Sequence, residues 1–127
     1  MKDWSEVTLK TSDSLETVIK VLHTGGLQIA LVVDKNGELL GTVTDSDIRR
    51  ALLKHLGMDC LVEEVMNKSP TTALSSDSSD SIMSKMKSRN LLHMPIIDEN
   101  GKLVGLETFI HLTYDKKYDN LVFLMAG

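Results

Sequence analysis

The chain has 127 residues, 42% of them hydrophobic and 25% charged, and a formal net charge of −4, which is typical of one small globular domain or of two smaller units that share a core. The acidic balance argues against a nucleic-acid partner, because the chain has no excess of basic residues to displace counterions. No apolar run approaches the roughly 20 residues of a membrane-spanning helix, and the N-terminal MKDWSEVTLK lacks an apolar signal core, so we expect a cytoplasmic protein without a membrane partner.

The N-terminal region predicts a short strand and then a helix. VTLK alternates apolar and polar residues as a short strand does, and SLETVIKVLHTGG carries apolar residues at helical spacing. Asp13 or Ser14 can serve as the N-cap of this helix, and Gly25 and Gly26 supply its C-terminal stop. The apolar stripe of the helix consists of Leu15, Val18, Ile19 and Leu22.

A hairpin and a second helix follow. IALVVD and LLGTV are apolar runs on either side of Asn36 and Gly37, a pair that strongly favours a tight turn between two strands. In the second run, Gly41 leaves room for the close approach of another backbone segment or of a ligand. DIRRALLKHLG then predicts a helix that ends at Gly57, with an apolar stripe that consists of Ile48, Ala51, Leu52 and Leu56.

The order of strand, helix, hairpin and helix occurs twice. ALVVDKNGELLGTVTDSD at residues 30–47 aligns without gaps with MPIIDENGKLVGLETFIH at residues 94–111, which indicates two copies of one unit. SIMSKMKSRN is the first helix of the second copy, the serine-rich SSDSSDS is its capping loop, and VEEVMNKSP predicts a helical turn between the copies. The recurring pairs are Asp34 and Asp98, Asn36 and Asn100, Gly37 and Gly101, Leu39 and Leu103, Gly41 and Gly105, and Thr44 and Thr108.

A hairpin that ends in Gly-x-Val-Thr-x-x-Asp, here residues 41–47, within a tandem repeat of this kind resembles a pair of CBS domains. EEVMNKSPTT is similar to the usual start of a second such domain. The resemblance covers residues 7 to about 113 and implies an α/β fold, strictly α+β, with two pseudo-symmetric β-α-β-β-α units packed sheet to sheet around a central cleft. The boundaries expected from it are residues 1–66 and 67–114 for the two units and 115–127 for a linker and a possible further strand.

The resemblance also implies a function. Members of the family often bind adenosine nucleotides in the cleft and regulate an attached enzyme or transporter, so AMP, ADP or ATP is the expected ligand. In the family's motif, the residue that matches Asp47 binds the two ribose hydroxyls, and the residue that matches Thr44 contacts ribose or phosphate. Arg49 and Arg50 could add charge-assisted contacts, and the N-terminus of the second helix is suited to phosphate.

The same residues also have a purely structural explanation. Thr44, Asp45, Ser46 and Asp47 are all good helix-starting residues, and a helix start needs no ligand. The two arginines would then form a solvated face, with Asp45 as a local partner. Spacing alone favours this structural explanation, whereas the repeat and the family resemblance favour a nucleotide contact.

Similarity to family sites suggests further residues around the nucleotide. Thr11 and Ser12, before the first helix, would line the cleft. Leu27, Ile29 and Ala30, before the hairpin, would flank the base. These residues belong to the first copy, so the first copy is expected to provide the competent ribose site.

The second copy departs from the family's motif. His111 stands where the first copy has Asp47, and a neutral imidazole offers one acceptor in place of a carboxylate that can bind two hydroxyls. We therefore expect a second, weaker site, formed by Thr72, His93, Met94, Pro95 and Thr108.

Catalysis and metal binding have no sequence signal. Cys60 is the only cysteine, and the four histidines are too scattered to suggest a metal site. Neither a nucleophile elbow nor a Walker loop occurs. The chain is expected to be a binding and regulatory fragment that requires no cofactor.

After the second copy, the polar segment YDKKYDN leads into LVFLMAG at residues 121–127. An apolar run of strand length that ends in Ala-Gly resembles the opening of sugar-phosphate nucleotidyltransferases, whose first strand runs into a Met-Ala-Gly-Gly loop that cradles phosphates. The resemblance predicts an attached C-terminal catalytic domain of that class. The alternative is a terminal strand or helix that packs on the two units or on a dimer mate.

Two functions follow from these patterns. The leading hypothesis is a regulatory pair that binds an adenine nucleotide and modulates an attached nucleotidyltransferase. The alternative is a ligand-free dimerisation module, in which exposed apolar positions on the second helix of each copy contact a second chain. A homodimer is the expected assembly.

Overall fold

The chain forms two units with the same order of strands and first helix, and each unit contains one three-stranded sheet. The structure is a computed structural model and describes residues 4–110 and residue 112. After a 3₁₀ turn at Ser5–Val7, the first unit consists of β1 (Thr8–Leu9), α1 (Leu15–Gly25), β2 (Ile29–Val33), β3 (Leu39–Thr44) and α2 (Asp45–Leu53). A second 3₁₀ turn at Val62–Glu64 leads to β4 (Ala73–Leu74), α3 (Ser79–Ser88), β5 (His93–Ile97) and β6 (Leu103–Thr108), after which Phe109 and Ile110 are helical.

The two sheets share one topology. β1 pairs parallel to β2 and β2 antiparallel to β3, and β4, β5 and β6 repeat this arrangement. The register repeats as well, because Ile29 lies opposite Thr44 in the first hairpin and His93 lies opposite Thr108 in the second. The predicted α+β class and the tandem repeat are therefore confirmed.

Serine side chains start the first helix of each unit. Ser14 Oγ accepts a hydrogen bond from the backbone N–H of Thr17 over 3.3 Å, and Ser78 Oγ accepts one from Ser81 over 3.1 Å. Of the two predicted caps of α1, Ser14 is thus the cap, while Asp13 accepts from the backbone N–H of Lys10. Each cap satisfies a backbone donor that the first turn of a helix leaves without an intrahelical partner.

The predicted C-terminus of α2 is wrong by one turn. The helix ends at Leu53 rather than at Gly57, because His55 adopts a left-handed backbone conformation with a φ of +63°. The N–H of Leu56 then donates back to the carbonyl oxygen of Ala51 over 3.1 Å, as in a Schellman motif. Leu56 packs against the core from this turn.

Leu52 also departs from the predicted apolar stripe of α2. Its side chain is 48% exposed, and that of its neighbour Leu53 is 74% exposed. The other three members of the predicted stripe behave as expected, because Ala51 is buried and Ile48 and Leu56 pack against the same core, while Asp47 is an additional buried residue of the helix.

The central strand of the first sheet, β2, is buried on both faces. Ala30 and Val32 of β2 belong to the core of the first unit, whereas Ile29 and Leu31 pack in a second cluster with residues of β6. Successive side chains of a strand point to opposite faces. One face of β2 therefore contacts its own helices, and the other joins the two units, which matches the predicted sheet-to-sheet packing.

The two hairpin turns hold the units together through backbone hydrogen bonds. The N–H of Leu39 donates to the carbonyl oxygen of Gly101 over 3.1 Å, and the N–H of Leu103 donates to that of Gly37 over 2.9 Å. Gly37 and Gly101 have φ values of +85° and +83°, which favour glycine. The exchange is reciprocal, as expected of two equivalent units related by an approximate two-fold axis.

Gly41 makes room for the segment that connects the units. The N–H of Thr42 donates to the carbonyl oxygen of Asn67 over 3.1 Å, and the N–H of Asn67 donates back over 2.8 Å. A Cβ at Gly41 would lie 2.7 Å from the Asn67 carbonyl oxygen and 2.8 Å from Met66 Sδ. Of the two predicted reasons for this glycine, the approach of another backbone segment is therefore the one observed.

No helix in the described part of the chain is long and apolar enough to cross a membrane.

Candidate functional site

A cleft of about 490 Å³ lies between the two units and is called the main cleft here. The first unit contributes the end of β3, the first turn of α2 and the start of β2, and the second contributes its N-terminal segment and the start of β5. The lining residues are Gln28, Ile29, Thr42, Thr44, Asp45, Ser46, Asp47, Arg50, Asn67, Pro70, Thr71, Asn90, Leu91, Leu92, His93 and Pro95.

Asp47 is the buried carboxylate of the main cleft. Its side chain is 6% exposed, and Oδ2 accepts a hydrogen bond from the backbone N–H of Thr44 over 2.9 Å and one from the Thr44 hydroxyl over 3.3 Å. Thr44 and Asp47 form a capping box at the start of α2. The structural explanation for this pair is therefore correct, and the same pair also lines the cleft.

Arg50 is the cationic partner of Asp47. Its Nη2 donates to Asp47 Oδ1, one helical turn earlier, and its own side chain is 65% exposed. Asp47 rather than Asp45 is thus the observed partner of this arginine. Arg49 is exposed and does not line the main cleft, although Arg50 does.

The remaining first-copy candidates are placed differently from one another. Ile29 lines the main cleft, whereas Ala30 is fully buried in the core of the first unit. Thr11 and Ser12 lie in the turn before α1, outside the lining of the cleft. Leu27 does not line it either, but its backbone bonds to the imidazole of His93.

The second-copy candidates are also divided. His93 and Pro95 line the main cleft together with Asp47, although the sequence assigned them to a second, weaker site. Met94 is fully buried in the core of the second unit, and Thr108 is buried in β6 opposite His93. The carbonyl oxygen of Thr72 accepts a hydrogen bond from Lys85 Nζ over 2.6 Å. His111, on which the contrast between the copies rests, lies outside the described residues.

The polar lining of the second unit had no sequence signal for a site. Asn90 follows α3 and has a left-handed backbone conformation, with a φ of +55°. The N–H of Leu91 donates back to the carbonyl oxygen of Met86 over 2.9 Å. Residues 90–92, which form this turn, line the cleft. Thr71 and Asn67 lie on the segment that connects the units. VEEVMNKSP predicted a helical turn and EEVMNKSPTT the start of the second domain, but neither pattern marked Asn67 or Thr71 as a site residue.

Burial affects the pKa of His93. The imidazole of His93 is partly buried, and this loss of solvent lowers the pKa of His93. The hydrogen bond between the ring and the backbone of Leu27 has the opposite, smaller effect on the pKa. The lowered pKa favours an imidazole that retains one hydrogen-bond acceptor near neutral pH. The main cleft therefore contains a histidine with a lowered pKa and a buried carboxylate on opposite units.

A second depression, called the side groove here, continues from the main cleft along α2. It has a volume of about 420 Å³ and shares Asp47, Arg50 and Asn67 with the main cleft. Lys54, Lys68 and Glu64 also line the side groove. Its lining therefore has three basic side chains, with Arg50 included, and two acidic ones, Asp47 and Glu64. Among residues 4–110 and 112, no group of three or more histidine, cysteine or acidic side chains is arranged to hold a metal ion.

Comparison with protein families gives one match that covers most of the chain. The profile of the family described as CBS domain matches residues 2–54 and again residues 62–106. Among curated proteins, L-aspartate semialdehyde sulfurtransferase of Methanocaldococcus jannaschii is 28% identical over 102 residues, which is 80% of this chain and 19% of that protein. The chain thus spans about a fifth of the length of this relative.

Two solved structures with bound adenosine compounds are similar to this fold. The CBS domain protein PAE2072 from Pyrobaculum aerophilum, complexed with AMP, has a TM-score of 0.73 and 26% identity, and the match covers 84% of this chain and 81% of that one. The CBS domain pair of protein MJ0100, in complex with 5′-methylthioadenosine and S-adenosyl-L-methionine, has a TM-score of 0.74 and 26% identity, with 87% and 89% covered.

Proposed function

The chain belongs to the CBS domain family, as a tandem pair, and from this premise we propose that it is a regulatory module that binds an adenine nucleotide in the main cleft. The observation that carries the proposal is Asp47, a buried carboxylate at the N-terminus of a helix in a cleft lined by both units. AMP, 5′-methylthioadenosine and S-adenosyl-L-methionine, the ligands of the two similar structures, share an adenosine group.

Each part of an adenine nucleotide has a suitable counterpart in the lining. The adjacent ribose hydroxyls are donors that one carboxylate can accept, and Asp47 is the buried carboxylate there. Ile29, Leu91 and Pro95 supply apolar surface for the base. The first turn of α2 offers the positive end of a helix dipole to a phosphate. The cleft volume lies in the range typical of small-molecule sites.

We propose a narrower contact set than the sequence suggested. It comprises the candidates that line the main cleft, which are Thr44, Asp47, Arg50, Ile29, His93 and Pro95. The candidates outside this set are Arg49, Thr11, Ser12, Leu27, Ala30, Thr72, Met94 and Thr108.

Regulation would follow from the position of the cleft between the units. A ligand that contacts both Asp47 and His93 connects two bodies that otherwise meet through their sheets and hairpin turns. It can shift an equilibrium between two arrangements only if it binds one of them more tightly. We propose that the adenine nucleotide does so and that an attached domain responds to the change.

Calorimetric titration of the chain with AMP, ADP, ATP, GTP and S-adenosyl-L-methionine tests the binding proposal. We expect saturable binding of at least one adenine compound and weaker or no binding of GTP. Absence of heat with every ligand at millimolar concentration would overturn the sensor function.

The attached domain is proposed to be a sugar-phosphate nucleotidyltransferase. Support comes from the resemblance of LVFLMAG to the first strand of such enzymes, and from a curated relative in which the matching part is a small share of a longer protein. Residues 121–127 lie outside the described residues. The coding sequence beyond Gly127 tests this part, because a continuation such as Gly-x-Gly-Thr-Arg is expected and an unrelated continuation would refute it.

A ligand-free dimerisation module is the second candidate function. Leu53 on α2 is 74% exposed and Ile110, in the corresponding helix of the second unit, is 79% exposed, so both helices present apolar surface. Sedimentation of the chain and of Leu53→Glu distinguishes the functions. A dimer that forms without ligand, is lost in Leu53→Glu and binds no adenine compound would favour the dimerisation module.

A further inference from the structure

Both oxygens of the Asp47 carboxylate already have partners inside the protein. Oδ2 accepts from the backbone N–H and the hydroxyl of Thr44, over 2.9 and 3.3 Å, and Oδ1 accepts from Arg50 Nη2. A ribose that presents two adjacent hydroxyls needs acceptor positions on this carboxylate. A carboxylate has about four acceptor positions and three of them are occupied, so one of the two hydroxyls must take a place that an intramolecular donor now occupies.

The two partners of Asp47 differ in how readily they can leave. The backbone N–H of Thr44 holds Oδ2 at the junction of β3 and α2, so its departure would break the start of the helix, and the longer bond from the Thr44 hydroxyl falls on the same oxygen. Arg50 holds Oδ1 from a side chain that is 65% exposed, whereas the side chain of Asp47 is buried, so the guanidinium can leave the carboxylate without being left buried and unpaired. Arg50 is thus the partner that an incoming ribose can displace.

A displaced Arg50 remains beside the site. Its side chain lines both the main cleft and the side groove, so the guanidinium can leave Asp47 without leaving the ligand's surroundings. Guanidinium groups bind phosphate with two parallel hydrogen bonds, and such charge-assisted bonds are among the stronger ones in proteins. A phosphate on the ribose would give Arg50 a new anionic partner in exchange for Asp47.

We propose that Arg50 makes the main cleft selective for adenosine ligands with a 5′-phosphate, because its guanidinium exchanges the Asp47 carboxylate for the phosphate when the ribose binds. The inference rests on the proposed nucleotide function and names the ligand class. A 5′-hydroxyl or a 5′-methylthio group offers Arg50 no anion, and the sulfonium of S-adenosyl-L-methionine repels it. The chain should therefore bind AMP more tightly than adenosine and 5′-methylthioadenosine.

The test is calorimetric titration of the chain, of Arg50→Gln and of Arg50→Lys with AMP, adenosine and 5′-methylthioadenosine. Lys20→Gln is the matched control, because it also removes a cation paired with an acidic residue on its own helix, Glu16, and it lies outside both clefts. The wild-type chain should bind AMP about tenfold or more tightly than adenosine. In Arg50→Gln this ratio should fall to about one through weaker AMP binding, with adenosine affinity unchanged or higher.

Arg50→Lys should retain part of the preference for AMP, because it keeps the charge without the bidentate geometry, and Lys20→Gln should retain all of it. The inference is overturned if Arg50→Gln weakens AMP and adenosine equally, or if it leaves their ratio unchanged. If the wild-type chain binds AMP and adenosine equally, the inference fails while the proposed function stands. If it binds neither, the inference fails, and the proposed function fails as well if ADP, ATP and S-adenosyl-L-methionine also give no heat.

Discussion

The backbone N–H of Thr44 donates a hydrogen bond to Asp47 Oδ2 over 2.9 Å, so the carboxylate proposed to bind ribose also holds the first turn of α2. Helix capping and ligand binding therefore depend on one side chain. Conventional alanine replacement at this position changes both properties at once. Variants that keep the cap while changing the charge can separate them.

Asp47→Ala should lower the free energy of unfolding by about 1 kcal/mol, the usual cost of a lost cap, and should abolish nucleotide binding. Asp47→Asn keeps an oxygen that can accept from the Thr44 N–H, so it should lose little stability. It should nevertheless bind AMP about tenfold or more weakly, because the amide cannot accept both ribose hydroxyls. Urea denaturation and calorimetry measure the two effects.

Ser14→Ala is the control for the cap, since Ser14 starts α1 away from the main cleft. It should cost a similar free energy of unfolding and leave AMP affinity unchanged. Retention of full AMP affinity in Asp47→Asn would contradict the proposed role of the carboxylate.

Gly41→Ala should lower the free energy of unfolding by about 1–3 kcal/mol, the usual cost of overpacking. The added Cβ would lie 2.7 Å from the carbonyl oxygen of Asn67, whose backbone bonds to Thr42 prevent an easy shift. Since Asn67 lines the main cleft, AMP affinity should fall as well. Urea denaturation and titration of the same samples give both values.

Gly57→Ala is the matched control for Gly41→Ala. Its Cβ would meet the Oδ1 atom of Asp59 at 2.8 Å, but that atom is the end of a side chain that can rotate away. The substitution should change the free energy of unfolding by less than about 0.5 kcal/mol. A Gly41→Ala variant as stable as Gly57→Ala would show that the connecting segment can move.

The free energy of unfolding should decrease as the pH falls below about 6.5, the ordinary pKa of histidine. Burial lowers the pKa of His93 in the folded chain, so the unfolded chain binds more protons between the two pKa values. The contribution of His93 to the free energy of unfolding is fully present above its pKa in the unfolded chain, and it is lost as the pH falls through its lower pKa in the folded chain. Urea midpoints between pH 5 and pH 8 measure the slope.

His93→Gln should make this acid slope shallower, because the titrating imidazole is absent. His23→Gln, which replaces an exposed histidine outside the main cleft, should leave the slope unchanged. Equal slopes in wild type and His93→Gln would assign the acid sensitivity to other groups.

Lys85→Met should destabilise the second unit by about 1.5–3 kcal/mol, the range of hydrogen bonds to charged groups. Lys85 Nζ donates to the carbonyl oxygen of Thr72 over 2.6 Å and thereby ties α3 to the segment that lines the cleft at Thr71. Lys87→Met removes an exposed lysine from the same helix and should change stability by less than about 0.5 kcal/mol. Thermal denaturation of both variants compares them, and equal losses would show that the bond to Thr72 contributes nothing.

The local features of the fold could be predicted because they depend on neighbouring residues. Ser14 as a helix cap, Asn36-Gly37 as a hairpin turn and the repeat that follows from residues 30–47 and 94–111 are all consequences of turn chemistry, capping and periodicity. The end of α2 at Leu53 was missed, because the left-handed residue that follows it is His55. A left-handed residue other than glycine has no strong sequence signal.

The site, by contrast, combines residues that are distant in the chain. The sequence by itself determined that Thr44 and Asp47 stand together at a helix start, because they are three positions apart along one turn. Only the tertiary structure placed His93 and Pro95 in the lining of the same cleft as Asp47 and set Gly41 against Asn67. Such contacts depend on how two sheets pack and how the hairpin turns exchange hydrogen bonds, and periodicity along the chain carries no information about that packing.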